Sequence, residues 1–292
     1  MPPALRTWIL AARLRTLPAA AAPVLVGTSV AIADDVFDVW RFLCALFGAL
    51  FIQIGTNLAN DYSDARRGAD TEDRLGPVRV TAGGLIPPRH VLYGIWVSFG
   101  IAVLFGSYLI AVAGWELLVI GVASIIAGVL YTGGPRPYGY AGLGEVFVFL
   151  FFGVVAVAGS AFAQLEEWPL VAILASIPVG ALASAVLVVN NVRDRETDAR
   201  VGKRTLAVRL GPERGRDLYS AMLVVAYLAL IAIAVAHGTA WPLIALASVP
   251  LALRWNATVR NHHDGPTLNG ALAGTAQLEL IFCVLLSAGI LI

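Results

Sequence analysis

The sequence predicts an all-α polytopic membrane protein, and its composition, its apolar runs and the placement of its charges support that fold class. Of the 292 residues, 59% belong to the apolar set AVILMFWYC, only 13% are charged, and the mean hydropathy is +0.80. Soluble domains are nearer to half apolar and a quarter charged. A core of this size cannot bury so much apolar surface, which excludes an ordinary soluble domain, a disordered chain and a nucleic-acid binder.

Nine transmembrane helices are predicted from runs with no more than one charged residue. A helix that crosses a bilayer needs about 20 predominantly apolar residues. The run 218–253 is too long for one helix and contains the turn signal HGTAWP at 237–242, so it is divided into two spans. The predicted spans are, in chain order, 16–33, 42–60, 91–115, 117–135, 146–165, 168–192, two within 218–253, and 265–292, which contains Glu279.

The basic residues predict that the N-terminus lies in the cytoplasm. In that orientation, nineteen of the twenty Lys and Arg residues lie on the cytoplasmic side, and only Arg41 does not. One missed helix would scramble this pattern, so it supports the count of nine. Ala31-Ile-Ala33 resembles a signal-peptidase site, but the preceding run is long and contains Pro18 and Pro23. We therefore expect the first helix to be retained.

An internal repeat carries most of the acids that follow the apolar runs. The segment NLANDYSDARRG begins at residue 57, and NVRDRETDARVG begins at residue 191. When Asp64 is aligned with Asp198, the two segments read DARRG and DARVG. Each follows an apolar helix on the same predicted face of the membrane. The repeat therefore indicates a single domain, residues 1–292, with two halves of about 1–140 and 141–292 that face one cavity.

The polar residues of each segment are spaced to share one helix face. They stand at i, i+3, i+4 and i+7 in the first copy, and at i, i+3 and i+7 in the second. Two such faces would bring carboxylates together, and these would repel unless cations lay between them. Clustered oxygen ligands suit Mg²⁺ with substrate phosphates. The residues that this spacing predicts to bind Mg²⁺ are Asn57, Asn60, Asp61, Asp64, Asn191, Asp194 and Asp198.

Basic residues beside the repeat would face the phosphate oxygens that the metal leaves uncovered. A simpler interpretation is that the loop charges are solvated and set the topology. That interpretation suffices for Arg66, Arg67, Arg200, Arg214 and Arg216. It does not explain Asn and Asp repeated in register on two helix faces. The predicted diphosphate-binding residues are Arg74, Arg79, Lys203 and Arg204, with Arg209 nearby.

At these motifs the sequence resembles the UbiA superfamily of intramembrane prenyltransferases. The resemblance rests on NDYSD-x3-G-x-D at 60–70 and NN-x2-D-x3-D-x3-GK-x-TLAVRLG at 190–211. The stretches RLRTLP at 13–18 and YTGGPRPYGYAGLGE at 131–145 agree with it. Within the superfamily the sequence is similar to the 1,4-dihydroxy-2-naphthoate polyprenyltransferases of menaquinone synthesis, from about residue 6 to the last helix.

The resemblance implies a nine-helix bundle around a central cavity, with a cytoplasmic cap and a lateral opening to membrane lipids. It implies a multi-pass cell-membrane enzyme that binds polyprenyl diphosphate through Mg²⁺ at the two motifs, facing the cytoplasm. The catalytic and Mg²⁺-binding residues that it implies are Asn60, Asp61, Asp64, Asp194 and Asp198, with Asn57, Asn191 and Asp70 as further candidates. The implied acceptor is 1,4-dihydroxy-2-naphthoate, whose carboxylate leaves as CO₂ to give demethylmenaquinone. Many members carry a third acid four residues after the position of Asp64. Gly68 stands there in this chain, which leaves the participation of Asp70 or Asp73 open.

A polar and aromatic stretch before the predicted fifth helix supplies candidates for binding the acceptor or stabilising an allylic cation. Arg136 could equally be a topology charge, and Glu145 could be a favourable acid at a helix N-terminus. Glu279 has no assigned role. The predicted acceptor-binding or cation-stabilising residues are Tyr131, Arg136, Tyr138, Tyr140 and Glu145.

Alternative functions remain open at the level of sequence. The same chemistry with another acceptor, such as 4-hydroxybenzoate, is opposed only by the PYGY and TLAVRLG stretches. A CDP-alcohol phosphotransferase would carry one acidic string, whereas this chain has two separate motifs. A transporter would place ionisable groups near the bilayer midplane, whereas these acids cluster at helix ends. Prenyl chain length and oligomeric state are not determined by the sequence.

Overall fold

The computed structural model describes residues 3–70, 75–76 and 78–292, and this part of the chain contains helices and turns without a β-strand. Between its two ends, a helix satisfies its backbone hydrogen bonds within one segment, which the interior of a bilayer requires. A π-helix at Phe149–Ala158 continues α6 into α7, and 3₁₀ turns lie at Leu14–Thr16, Tyr138–Ala141 and Trp241–Ser248. The α-helices are α1 (Pro3–Ala12), α2 (Leu17–Ala33), α3 (Val39–Arg66), α4 (Pro88–Ala113), α5 (Glu116–Leu130), α6 (Gly144–Val148), α7 (Gly159–Leu165), α8 (Leu170–Arg200), α9 (Leu206–Leu210), α10 (Pro212–His237), α11 (Val249–Asn261) and α12 (Gly265–Ile290).

The helices identify an integral membrane protein. Seven helical segments of the described chain are long and apolar enough to cross a membrane, and the bent pair of α1 and α2 would make an eighth. α5 has 15 residues, fewer than the roughly 20 that a straight crossing requires. Each of the nine predicted segments contains a helix, and the chain turns at Gly238 as predicted. The predicted span 117–135 is too long, because α5 ends at Leu130 and residues 131–135 form a turn. The count of nine spans is not confirmed by these lengths.

The two acidic segments are the last turns of long helices. α3 continues beyond its apolar run to Arg66, and α8 continues to Arg200. Both helices end at the repeated glycine, since Gly68 has φ 65° and Gly202 has φ 78°. Glycine adopts this left-handed conformation without the steric cost that a Cβ atom brings. The repeat visible in the sequence is therefore a repeated helix terminus.

α8 is the central helix of the bundle, and it packs against α10, α12 and the π-helix. Close approach to the π-helix depends on glycine, because a Cβ atom on Gly153 would lie 2.7 Å from the Cα of Gly180. Small residues allow such contacts between membrane helices. On the other side of the bundle, α3 packs on α4 and α5. The cavity described below lies between these two groups.

Arg41 joins three helix ends at the end of the bundle opposite the acidic segments. Its guanidinium donates to the carbonyls of Val112, Ala163 and Gln164 at 3.0 to 3.2 Å. It also pairs with Glu166 at 2.9 Å. The carbonyls at the ends of α4 and α7 lack partners within their own helices, so a cation stabilises both ends. The one basic residue that breaks the charge pattern is thus a structural clamp.

Candidate active site

The acidic ends of α3 and α8 open onto one cavity of about 1250 Å³. Seven of the eight predicted metal-site residues line it, and the eighth, Asp70, lies behind it against Arg79. The spacing argument placed these side chains on two helix faces, and the tertiary structure turns both faces to the same space. The seven lining residues are Asn57, Asn60, Asp61, Asp64, Asn191, Asp194 and Asp198.

Asp64 is the most heavily bonded acid of the first segment, and only 1% of it is exposed. The Tyr140 hydroxyl donates to Asp64 Oδ1 at 2.9 Å. Lys203 Nζ and Arg79 Nη2 donate to Asp64 Oδ2 at 3.2 and 3.4 Å. Lys203 also lies 4.8 Å from the centre of the Tyr140 ring. Two cations and a hydroxyl therefore hold this carboxylate, and one of the cations comes from the other half of the chain.

Asp61 is bonded to the backbone of the following loop. Its two oxygens accept from the N–H groups of Val80 and Thr81, at 3.0 and 2.8 Å. These bonds hold a turn at 80–84 whose preceding residue, Arg79, reaches both Asp64 and Asp70 at 3.4 Å. Asp61 was expected among the Mg²⁺ ligands. The structure gives its carboxylate a structural task, which is to anchor the loop that carries Arg79.

The two asparagines of the first segment contact different neighbours. Asn60 Oδ1 accepts from the Thr132 hydroxyl at 3.0 Å. Asn57 Nδ2 donates to the Ala12 carbonyl at 3.1 Å and to Thr16 Oγ1 at 3.0 Å. These bonds hold the break between α1 and α2, where Arg13 has φ 52° and its side chain lines the cavity. A left-handed non-glycine residue is strained, so tertiary contacts must hold it.

In the second segment, Asp194 pairs with the residue before it. Arg193 donates to both Asp194 oxygens, at 2.8 and 2.5 Å, and is itself almost fully buried. The same guanidinium reaches Asn190 and Asn269, and Asn269 donates to the Leu75 carbonyl at 2.9 Å. From the sequence, Arg193 has no predicted site role and counts only among the basic residues of the cytoplasmic side. Its position next to a motif acid inside a helix was the signal that could have identified it.

Charges on the described cavity wall balance in number. Four carboxylates and four cations line it, so the repulsion expected between the opposed acids is offset by the chain's own arginines and lysine. Within the described residues, no three His, Cys, Asp or Glu side chains lie together as a metal cluster. The carboxylates are Asp61, Asp64, Asp194 and Asp198, and the cations are Arg13, Arg79, Arg193 and Lys203.

Some predicted residues do not reach the cavity. Arg204 is exposed, and its backbone N–H donates to the Tyr140 carbonyl at 3.0 Å. Arg136 is also exposed and does not line the cavity. Arg209 bonds to the Arg204 carbonyl instead. This placement does not support acceptor binding by Arg136, because the residue lies in the exposed connection between α5 and the turn at Tyr138–Ala141. Arg74 and Asp73 lie outside the described residues.

Aromatic rings form one wall of the polar end. Tyr138 stacks on Phe147 with ring centres 3.9 Å apart, and Tyr131 meets Tyr138 edge-on at 5.4 Å. The Tyr138 hydroxyl donates to the Ala127 carbonyl at 2.9 Å. Burial, reinforced by the adjacent Asp64 carboxylate, raises the pKa of Tyr140 above its ordinary value. Tyr140 therefore keeps its proton and remains a donor to Asp64.

Two buried acids lie away from the cavity surface. Glu145 is not a lining residue, although it accepts from Asn191 Nδ2 at 2.9 Å. Glu279 is fully buried in α12, where neither oxygen has a hydrogen-bond partner among the described residues. The expectation that Glu145 binds the acceptor directly is not supported by this placement, because the cavity wall separates it from that space.

Beyond its polar end the cavity is apolar. It continues between α3, α4, α5 and the π-helix toward the opposite end of the bundle, reaching Cys44 and Leu117. The π-helix contributes Phe151, Phe152 and Val155 to this part. π-Helices are rare in proteins, and those that occur frequently lie at functional sites. The cavity therefore combines a charged head with a long apolar body, which suits an amphiphile.

This chain resembles known proteins in both sequence and fold. The sequence matches the UbiA prenyltransferase family over residues 20–278. A 1,4-dihydroxy-2-naphthoate octaprenyltransferase of Mycobacterium tuberculosis is 43% identical over 277 residues, covering 95% of this chain and 94% of that protein. Its namesake from Haemophilus influenzae is 36% identical over 298 residues, covering 99% and 96%. A UbiA homologue from Archaeoglobus fulgidus bound to GPP and Mg²⁺ has a similar fold, with TM-score 0.65, 15% identity and coverage of 96% and 99%. This chain belongs to the UbiA prenyltransferase family.

Proposed function

We propose that this protein transfers a polyprenyl group from polyprenyl diphosphate to 1,4-dihydroxy-2-naphthoate, with loss of CO₂ and diphosphate. The observation that carries the proposal is the cavity, in which two acidic helix ends face each other above a long apolar space. A diphosphate fits the charged end and a polyprenyl chain fits the apolar end. The naphthoate acceptor is supported by the names of relatives that are 36 to 43% identical over nearly the whole chain.

The residues of the polar end fit Mg²⁺. Carboxylate and amide oxygens from both helix ends are the hard ligands that this ion binds together with substrate phosphates. Asp64, Asp194 and Asp198 would hold it, with Asn60 beside them. Bound there, Mg²⁺ supplies positive charge that stabilises the diphosphate as its bond to the allylic carbon breaks.

The chain's own cations would bind the remaining phosphate oxygens. Arg79 and Lys203 form ion pairs with Asp64. Arg193 forms an ion pair with Asp194, so each of these cations already contacts an acid of the site. When metal and diphosphate enter, these side chains can exchange a carboxylate partner for a phosphate oxygen. Arginine suits this exchange because its planar group forms two parallel bonds to phosphate.

The aromatic wall would protect the reacting carbon. Tyr131, Tyr138 and Phe147 line the cavity next to the polar end, and electron-rich ring faces stabilise a cation while excluding water. The acceptor ring carbon that bears the carboxylate forms a bond to the allylic carbon, and diphosphate departs with the electron pair. The bond to the carboxylate then returns its electrons to the ring as CO₂ leaves, which gives the hydroquinone form of demethylmenaquinone.

The orientation belongs to the same proposal. We infer nine spans, with the bent pair of α1 and α2 and the short α5 both crossing, in a bacterial-type cell membrane. The N-terminus and the acidic helix ends would then face the cytoplasm, because nearly all Lys and Arg residues lie at that end. The loop that carries Arg79 would form part of a cytoplasmic cap over the polar end.

Purified protein in nanodiscs tests the reaction. It would be incubated with 1,4-dihydroxy-2-naphthoate, octaprenyl diphosphate and Mg²⁺, while product mass and released CO₂ are followed. We expect a demethylmenaquinone product that is lost in EDTA and falls at least about 100-fold in Asp64→Asn and Asp198→Asn, as for loss of transition-state charge stabilisation. Asp217→Asn is the matched control, since that exposed acid pairs with Arg260 away from the cavity.

The possible outcomes separate the parts of the proposal. Turnover of 4-hydroxybenzoate in place of the naphthoate would overturn the acceptor assignment and leave the diphosphate chemistry standing. Absence of Mg²⁺-dependent consumption of any prenyl diphosphate would overturn the function altogether.

A further inference from the structure

Glu145 and Asn191 form a buried pair behind the cavity wall. Asn191 Nδ2 donates to Glu145 Oε1 at 2.9 Å, and the two residues are only 4% and 6% exposed. Asn191 lines the cavity, whereas Glu145 does not. The asparagine therefore has one side toward the reaction space and the other toward the acid.

The pair selects one of the two orientations of the Asn191 amide. An amide group carries a donor end and an acceptor end of nearly the same shape. With Nδ2 on Glu145, the Oδ1 atom is the end that is free to face a cation in the cavity. The reverse orientation would place two acceptor oxygens against each other and leave a buried donor without a partner, which costs about 1 to 3 kcal/mol.

In the first copy of the acidic repeat, the corresponding asparagine is also held through its nitrogen atom. Asn57 occupies the position that corresponds to Asn191, and its Nδ2 donates to Ala12 O and Thr16 Oγ1. Both asparagines thus have the nitrogen end held by the scaffold while the residue lines the cavity. The scaffold partner differs, being a backbone carbonyl and a hydroxyl in one half and Glu145 in the other.

Glu145 is held rigidly enough to set this orientation. The Ser184 hydroxyl donates to the Glu145 carbonyl at 3.0 Å, which ties the start of α6 to α8. A Cβ atom on the preceding Gly144 would lie 3.1 Å from Leu187 Cδ2, so the two helices are already in close contact. The second oxygen, Oε2, is buried without a hydrogen-bond partner in the described structure. A buried carboxyl group with a hydrogen bond to only one of its two oxygens lowers the stability of the fold, so its presence here indicates a functional reason.

We propose that Glu145 is a positioning residue that fixes the Asn191 amide with its oxygen toward the metal–diphosphate end of the cavity. The inference rests on the proposed function, because it assigns a role within the same site. It replaces the expectation that Glu145 touches the acceptor. Outer-shell partners of this kind change metal affinity by about 10- to 100-fold when they are removed.

The test compares Glu145→Gln, Glu145→Leu and Asn191→Leu. Mn²⁺ binding in the presence of inorganic pyrophosphate would be measured by electron paramagnetic resonance, and KM would be measured separately for the two substrates. Glu145→Gln keeps an acceptor oxygen and should bind Mn²⁺ within about twofold of the unchanged protein. Glu145→Leu should weaken Mn²⁺ binding by about 10- to 100-fold with an unchanged KM for the acceptor. The double variant Glu145→Leu with Asn191→Leu should bind Mn²⁺ no more weakly than Asn191→Leu alone. The reason is that either change by itself already removes the oriented Asn191 amide.

Two controls separate positioning from damage to the fold. Ser176→Ala removes a buried serine hydroxyl that bonds within α8, away from the pair and from the cavity, and should leave Mn²⁺ binding unchanged. Glu145→Met also removes the carboxylate that accepts the hydrogen bond from Asn191, but it has a more flexible side chain. It provides the test if Glu145→Leu does not fold.

Distinct results would overturn the inference. A higher KM for the acceptor with normal Mn²⁺ binding in Glu145→Leu would assign Glu145 to the acceptor. Additive losses in the double variant would mean that the two residues act separately. Turnover of a different acceptor by the unchanged protein would contradict the naphthoate assignment and leave the role of Glu145 intact. Failure of the unchanged protein to bind Mn²⁺ with pyrophosphate would overturn both proposals.

Discussion

The Lys203 ammonium group donates a hydrogen bond to Asp64 Oδ2 at 3.2 Å, although 139 positions separate the two residues in the chain. The two residues belong to different copies of the acidic repeat. Lys203 follows the glycine that ends α8, and its backbone N–H bonds to the Asp198 carbonyl at 2.9 Å. In the first copy, Ala69 makes the equivalent bond to the Asp64 carbonyl at 3.0 Å. One helix terminus therefore supplies one of the two cations that pair with the acid of the other.

Lys203→Met should lower kcat/KM by about 10- to 100-fold, because a hydrogen bond to a charged group contributes roughly 1.5 to 3 kcal/mol. The fold should survive, since Arg79 and Tyr140 still hold Asp64. Steady-state kinetics with varied prenyl diphosphate would measure the effect. Arg204→Met is the matched control, because that neighbour is exposed and does not line the cavity. Equal losses in both variants would contradict the assignment of Lys203 to the site.

Asp61→Asn should loosen the loop after the first acidic segment. Asp61 now accepts a hydrogen bond from two backbone N–H groups, one on each oxygen. In the variant, the NH₂ group of the amide faces one of these N–H donors, and the lost hydrogen bond costs about 1 to 3 kcal/mol. Hydrogen–deuterium exchange should become faster at Val80 and Thr81. Asp64→Asn makes the same chemical change one turn away and should leave exchange there unchanged. Normal protection together with weaker metal binding in Asp61→Asn would show that Asp61 is a ligand and not an anchor.

Gly68→Ala and Gly202→Ala should each destabilise the protein by about 1 to 2 kcal/mol, the cost of a Cβ atom in the left-handed region. Space is not the reason, because a Cβ atom at either position meets no atom within 4 Å. Gly100→Ala is the control, since that helical glycine also has open space around it and an ordinary φ. Thermal unfolding in nanodiscs would compare the three variants. A loss in Gly100→Ala as large as in the other two would contradict the conformational explanation.

Arg41→Met should destabilise the bundle by roughly 2 kcal/mol and leave the kinetic constants of the remaining folded protein unchanged. It removes three bonds to helix-end carbonyls far from the acidic segments. Glu166→Gln removes only the half-exposed partner and should cost less than about 1 kcal/mol. Chemical unfolding and kinetics of the same preparations would test both. A large change in KM for either substrate would contradict a purely structural role.

Several features of the site were accessible from spacing alone. The positions i, i+3 and i+7 place Asn191, Asp194 and Asp198 on one face of any helix, and all three line the cavity. The repeat also predicted two equivalent helix–acidic segments, and in the structure both end at a glycine, Gly68 or Gly202, in the left-handed conformation. Local geometry along one helix depends only on neighbours in the chain, so a pattern of a few residues is enough to specify it.

Other assignments needed contacts between distant segments. Asp61 and Asp64 share a helix face and a residue type, yet one bonds a backbone loop and the other bonds side-chain cations. Lys203 and Arg204 are adjacent basic residues, and only Lys203 reaches the cavity. No spacing rule separates such pairs, because the difference arises from which segment packs against each side chain.

By itself, the sequence determined that this chain is a helical membrane protein with two acidic helix ends, because hydrophobicity and helical periodicity are properties of contiguous residues. Tertiary structure alone decided that Glu145 lies behind the wall on Asn191, that Arg193 is a buried cavity cation, and that the π-helix lines the apolar channel. Those outcomes depend on how helices far apart in the chain pack, and that packing is set by close approaches such as Gly153 against Gly180.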